Sequence, residues 1–335
     1  MVSATMFFAR VVGRRSVESG SVALLFGGLG SQYYGMAEDL FDGDPVFSRH
    51  VERIESEIFR IAGVSAIDFI KGRKEKRGER FTSLLSSSVT IFAVQLALAE
   101  AIMDYGIRPK ILASASYGFL AAATLSEAIS LGNAVRFMVG LASIVSEHGE
   151  RGHMLAILGN HADFSDSALV EGGVDVAGVV SNSVFSIAVP RARLQAALTG
   201  LERGGLVWDE LPIEYPFHTR WIDATEKPLR GMFSEFPYVD PKIPIIYSEG
   251  TERPARPSSD TFWNIVRSPT RLDFTFRELR SAGVEHFVDL SPGGGLAVSL
   301  RRDYPRSSGV SVHPVVMPFR GAGRRLPELL PGLFP

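Results

Sequence analysis

Ser116, His218 and a glycine-rich turn at 27–30 are the positions where this sequence could carry out covalent chemistry. Ser116 stands in Ser114-Ala115-Ser116-Tyr117-Gly118, where an apolar run gives way at once to a run of small helix formers. A serine at a strand-to-helix turn lifts its Oγ above the sheet, and the amide of the next residue, here Tyr117, points at a developing oxyanion. The general pattern is G-x-S-x-G, and Ser114 replaces its first glycine. A tight corner of small residues accounts for these letters as readily as a nucleophile does.

A nucleophilic serine needs a base. Among seven histidines, His218 follows Tyr215-Pro216-Phe217 at the end of an extended segment, so proline and an aromatic ring could hold it at a pocket wall. A partly buried structural histidine is the alternative reading. No two histidines have metal-ligand spacing, since His148 and His153 lie five apart in a glycine-flanked loop, and no metal is expected. The turn Gly27-Gly28-Leu29-Gly30 invites a phosphate-binding reading, but Tyr33 occupies the last glycine position of G-x-G-x-x-G and no Lys-Ser/Thr follows. Amides facing an oxyanion opposite Tyr117 are a better use of it.

The elements that must position these groups alternate as in a parallel α/β sheet. A strand over about 22–26 leads into the glycine turn, and a helix spans about 87–106. The segment 110–116 reads as a strand, with helices following at 117–131 and 132–150. Between 152 and 212 the rhythm becomes βαββαβ, with a short helix at 165–172, which is a ferredoxin-like unit. The expected organisation is an N-terminal extension (1–20), a large α/β domain (21–151 and 213–320), an inserted ferredoxin-like subdomain (152–212) and a tail (321–335).

Composition narrows the function. The 35 Lys and Arg nearly balance 37 Asp and Glu, so there is no basic field for nucleic acid or an anionic membrane, and neither partner is expected. No cysteine is present, which removes disulfides, thiolate metal sites and a cysteine nucleophile, and fits a reducing compartment. The first twenty residues lack signal-peptide character, and no run reads as a membrane span. A cytoplasmic protein that handles a neutral small molecule or another protein is expected.

Taken in order, "LLFGGLGSQYYGMAEDLF", "ASASYGFLAAA", "NAVRFMVGLASIV", "SNSVFSIAV", "YPFHTRWID", "FWNIVRSPTRLDF" and "HFVDLSPGGGL" resemble the malonyl-CoA:acyl carrier protein transacylases and polyketide synthase acyltransferase domains. The resemblance runs from about residue 22 to 320, and "GSQYYGM" is similar to the discrete, trans-acting branch. It implies an α/β-hydrolase-like large domain with an inserted ferredoxin-like subdomain. It also implies Ser116 as nucleophile, His218 as base, and oxyanion amides at Tyr117 and Leu29. A backbone carbonyl around Asn264 and Ile265 would orient the histidine, and Asn182 would line the cleft. No tightly bound cofactor is implied; the substrates would be 4'-phosphopantetheine thioesters, of CoA or of an acyl carrier protein. Arg220, Arg271, Arg301 and Arg302 are candidates for docking an acidic carrier.

The departures from that family bear on the acyl group. Members that handle malonate hold its carboxylate with an arginine about 25 residues after the serine, where Leu141 stands here. Leucine supplies none of a charge-assisted contact, and a carboxylate buried against it would cost free energy. The histidine beside the serine is replaced by Ala115, a following glutamate by Phe119, the turn glutamine by Leu29, and the usual T-Q-P-A reads Ser87-Ser88-Val89-Thr90. With Phe217 these residues suggest a larger, less polar pocket. The leading expectation is an acyltransferase for a non-carboxylated, bulky acyl group. A thioester hydrolase using the same Ser/His pair and a non-catalytic carrier-binding relative are the alternatives.

Overall fold

A computed structural model describes residues 21–72, 79–165, 173–249, 256–304, 309–318, 325–330 and 332–333. The expected N-terminal extension, nearly all of the short helix at 165–172 and much of the tail lie outside these residues.

Five parallel strands form the first sheet: β1 (Val22–Phe26), β2 (Ile111–Ser114), β7 (Ile245–Tyr247), β9 (His286–Asp289) and β10 (Ser311–Pro314), in the order β10-β9-β1-β2-β7. β1 reads VALLF and is buried throughout, as a central parallel strand covered on both faces must be. Its side chains alternate between two cores. Val22, Leu24 and Phe26 face one cluster, which includes the helices α1 (Pro45–Ala62), α2 (Leu84–Asp104), α3 (Gly118–Leu125) and α4 (Leu131–His148). Ala23 and Leu25 face the other, with Leu272, Phe276, Ala297 and Leu300.

Helix α2 corrects one expectation. By length and composition it is apolar enough to cross a membrane, but 83% of its most apolar window is buried inside the protein, where it is the central core helix.

The second sheet comprises β3 (Gly152–Leu158), β4 (Asp175–Ser181), β5 (Val184–Pro190) and β6 (Val207–Glu210), ordered β6-β3-β5-β4 with every pairing antiparallel. One face packs on Ala197 and Leu201 of α5 (Leu194–Arg203) through Leu155, Ile157, Phe185 and Ile187. The whole is an α/β fold with a ferredoxin-like subdomain. A fifth strand joins this sheet from further along the chain: β8 (Thr270–Arg271) pairs in parallel with Gly178 and Val179 of β4. β8 lies between α6 (Ser259–Arg267) and α7 (Leu272–Ser281), ahead of α8 (Gly295–Asp303).

The register sets the site. Phe26 lies opposite Ser114 and Leu25 opposite Asp289, so the turns after β1, β2 and β9 emerge together at the carboxyl end of the sheet. Open α/β sheets bind ligands at that end.

Candidate active site

Ser116 occupies the turn between β2 and α3 at φ 52°, in the left-handed region that side-chain-bearing residues rarely adopt. The turn is tight because α3 starts directly against β1: a Cβ on Gly118 would sit 2.3 Å from the Phe26 carbonyl oxygen. The glycine turn after β1 packs on the other side, where a Cβ on Gly28 would meet the Ser116 Cβ at 2.8 Å. Buried Gln95 of α2 clasps that turn, accepting from the Gly27 amide (2.7 Å) and donating to the Gly27 carbonyl (2.9 Å). Among the described residues no hydrogen bond engages the Leu29 or Tyr117 amide.

His218 Nε2 lies 2.9 Å from Ser116 Oγ. It too is left-handed, at φ 65°, and only 4% exposed. Its conformation is held from α6 and the residue just beyond, because its amide donates to the Val266 carbonyl and its Nδ1 lies 3.0 Å from the Ser268 carbonyl. The expected orienting stretch at Asn264 and Ile265 is thus corrected to Ser268. The Asn264 carbonyl is spent inside the helix end, accepting from the Ser268 amide, whereas carbonyls at and past a helix C-terminus are left for outside donors. Burial pushes the His218 imidazole down from 6.5 to about 4, against the Ser268 carbonyl, which favours the protonated form. With Nδ1–H donated to that carbonyl, Nε2 is a neutral acceptor aimed at the serine hydroxyl.

A cleft of about 470 Å³ lies between the sheets and opens onto both residues, lined by Leu29, Tyr33, Ala115, Met154, Phe185 and Pro292 among others. A second, smaller space of about 20 Å³ lies beside Ser116, walled by Tyr117, Phe119, Phe137, Leu141, Phe217 and Phe262. It is apolar, as the sequence suggests, but it is not large. Phe119 stacks edge-on against Phe262 at 4.8 Å and against Tyr247 at 5.2 Å, while Phe137 lies face to face with Phe233 at 4.6 Å. Aromatic rings close most of this space, leaving room for about one methyl group.

Other expected residues fall elsewhere. Asn182 is exposed at the tip of the β4–β5 hairpin, while Val180 and Val184 on either side face the cleft. Ser88 lies behind the wall on α2, donating to the Leu84 carbonyl at 2.6 Å, with the Tyr117 phenol as its neighbour. Near Leu141 in sequence, Arg136 is exposed and donates to Asn133, so it brings no cation to that wall. Among the described residues no group of three or more histidines and carboxylates could hold a metal ion.

Two functional residues escape a reading of the sequence. Gln95 lies inside an apolar helix, and Glu249 follows β7 without any motif. Glu249 is 3% exposed, and its Oε1 accepts from the Ser116 amide at 2.6 Å and from the Ser248 hydroxyl at 2.8 Å. Only a serine turn in need of an amide acceptor could have pointed to it.

The chemistry available is transfer of a proton from Oγ to a neutral imidazole while the oxygen attacks an electrophilic carbon in a largely apolar setting. Similarity to known proteins agrees with that geometry. Residues 23–320 match the acyl transferase domain family. The polyketide biosynthesis acyltransferase homolog BaeD of Bacillus velezensis is 30% identical over 310 residues, covering 92% of this chain and 95% of that protein. The homolog PksD of Bacillus subtilis is 27% identical, covering 89% and 92%. Among solved structures, a loading acyltransferase from the avermectin modular polyketide synthase superposes with a TM-score of 0.79 at 20% identity, covering 90% of this chain and 95% of that one. The malonyl CoA-acyl carrier protein transacylase of Coxiella burnetii gives 0.75 at 20% identity, covering 88% and 93%. At those identities the structural likeness is one of fold. With the family match spanning nearly the whole chain and the BaeD relationship end to end, the chain belongs to the acyl transferase domain family and is an acyltransferase.

Proposed function

We propose that this enzyme moves a non-carboxylated acyl group between thioesters through an ester on Ser116, in polyketide biosynthesis. The observation that carries the reading is the 2.9 Å contact of Ser116 Oγ with a buried, neutral His218. Oγ attacks the thioester carbonyl as its proton passes to Nε2; the C–S bond breaks and the leaving thiolate takes that proton. An incoming thiol then gives its proton to Nε2, its sulfur attacks the acyl carbon, and the Ser116–acyl bond breaks with return of the proton to Oγ. The Tyr117 and Leu29 amides are the donors for both tetrahedral oxyanions.

Leu141 and its aromatic neighbours support a non-carboxylated group, because a carboxylate in that space would be buried without a cation. The same walls restrict size: a methyl-sized end fits beside Ser116, and any bulky chain must run along the 470 Å³ cleft instead. The acyl donor is a phosphopantetheine thioester, carried by CoA or by an acyl carrier protein. For carrier docking the four arginines are unequal. Arg220 pairs with Asp175, Arg271 with Asp273, and Arg301 donates to the Val312 carbonyl, whereas exposed Arg302 makes no ion pair within 4 Å among the described residues and is the strongest candidate of the four, although its charge acts on neighbouring Asp303.

The test is intact-mass measurement after incubation with acetyl, longer alkanoyl and malonyl thioesters. An alkanoyl adduct that maps to Ser116 is the expected result; preferential malonylation overturns the reading. Free-acid release measured with and without acceptor carrier separates transfer, which the acceptor accelerates, from hydrolysis, which it leaves unchanged.

A further inference from the structure

Ser116 and His218 are 102 residues apart in sequence, each in a left-handed backbone conformation, and both are tied to two short segments that bridge each other, one just beyond β7 and one leading into β8. In the first segment, directly after β7, are Ser248 and Glu249. The Ser248 amide donates to the Ser114 carbonyl at 2.9 Å, and Glu249 Oε1 accepts the Ser116 amide at 2.6 Å. The second segment starts from Ser268, whose carbonyl faces His218 Nδ1, and runs into β8 at Thr270 and Arg271. The two segments are joined: Glu249 bridges to Thr270, and the Arg271 amide donates to the Ser248 carbonyl at 2.6 Å.

We propose that Glu249 is a positioning residue for acyl transfer, acting as the hydrogen-bond acceptor that fixes the Ser116 main chain relative to His218. The inference rests on the reading of Ser116 as nucleophile. The amide of Ser116 cannot join a helix ladder, because the residues before it are strand. An amide enclosed in that turn needs an acceptor, and the Glu249 carboxylate reaches it from just beyond β7. Glu249 also withdraws that amide from the oxyanion, leaving those of Tyr117 and Leu29 to serve it. The Ser248 hydroxyl donates to the same Oε1 and so holds the carboxylate in its rotamer. A loosened Ser116 turn would swing Oγ away from Nε2, and a misplacement of about 1 Å costs on the order of 10²-fold in rate.

The decisive variants are Glu249→Gln, which keeps an Oε1 acceptor at the same reach, and Glu249→Asp, which keeps the charge but falls short by one carbon–carbon bond. Acylation by an alkanoyl thioester is followed by intact mass under single-turnover conditions, with Tm recorded for each protein. The expected result is E249Q within about 3-fold of wild type and E249D slower by about 10²-fold, with KM little changed in both. The reverse order overturns the proposal, because charge rather than an acceptor would then be what matters; equal rates in all three proteins also overturn it. Should E249D not fold, E249Q decides alone, and a loss of tenfold or more there is fatal to the idea. Mapping the wild-type adduct keeps the two readings apart: an adduct away from Ser116 removes the nucleophile assignment, whereas an adduct on Ser116 in an insensitive E249D removes only the role of Glu249.

Discussion

His218 Nε2 meets Ser116 Oγ at 2.9 Å with both residues in the left-handed backbone region, at φ 65° and 52°. Such conformations cost on the order of 1–3 kcal/mol each and persist only where surrounding contacts over-determine them. Here those contacts come from separate elements: Glu249 and Gly28 around the serine, Val266 and Ser268 around the histidine. The fold spends stability on holding a hydroxyl against an imidazole.

The strain at Ser116 is measurable. Ser116→Ala and Ser116→Gly both remove the hydroxyl and should form no acyl adduct, but only glycine relieves the left-handed backbone. S116G is expected to be more stable than S116A by about 1 kcal/mol in thermal or denaturant unfolding. An S116G protein no more stable than S116A would mean that the turn is unstrained.

The pH dependence follows from His218, whose folded value is lowered from 6.5 to about 4. Above about 4 the base is neutral, so the acid limb of kcat/KM for acylation should fall near pH 4 rather than near 6.5. For stability, the unfolded chain binds a proton between those values and the folded chain does not. The histidine's contribution is complete above 6.5 and is lost as pH falls toward 4, at up to about 1.4 kcal/mol per pH unit. Buried Asp289, raised to about 6 by desolvation, works in the opposite sense, since the folded state binds its proton first as pH falls through 6. The difference between wild type and His218→Gln isolates the histidine: the variant should show the flatter loss of stability from pH 6.5 to 4.

Leu141 is 1% exposed in the wall of the small apolar space. Leu141→Ala should cost about 2–5 kcal/mol through lost burial and the cavity left behind. In return the acyl end gains room. Acylation by butanoyl and hexanoyl thioesters should rise relative to acetyl in a competition read by mass spectrometry, and an unchanged ranking would show that the acyl end lies elsewhere.

Gln95→Leu puts an apolar side chain into the apolar helix α2 and strands the Gly27 amide and carbonyl. Each buried orphan costs about 1–3 kcal/mol, so unfolding experiments should report a marked loss. Acylation should slow as well, because the turn that carries the Leu29 amide is no longer clasped. A variant as stable and as fast as wild type would show that water replaces the glutamine.

Local signals carried much of this protein in its letters. The run VALLF followed by glycines, the small residues around Ser116 and the four strands and second helix of 152–212 depend on neighbours in sequence, and the corresponding elements lie close to where those letters put them. Ser116 and His218 were legible as candidates, from turn chemistry for the one and from residue type and flanking rigidity for the other. What the letters left open depended on partners far along the chain. The acceptor of the Ser116 amide lies 133 residues away, the clasp on Gly27 lies 68 away, and the carbonyl facing His218 lies 50 away. No periodicity encodes such pairs; they follow from where strand ends and helix termini come to rest. Pocket size was undecided for the same reason. The apolar character around Leu141 was visible in the sequence, but only packing determined that Phe119, Phe137 and Phe262 would close most of the space, because the rings come from three different helices and meet there.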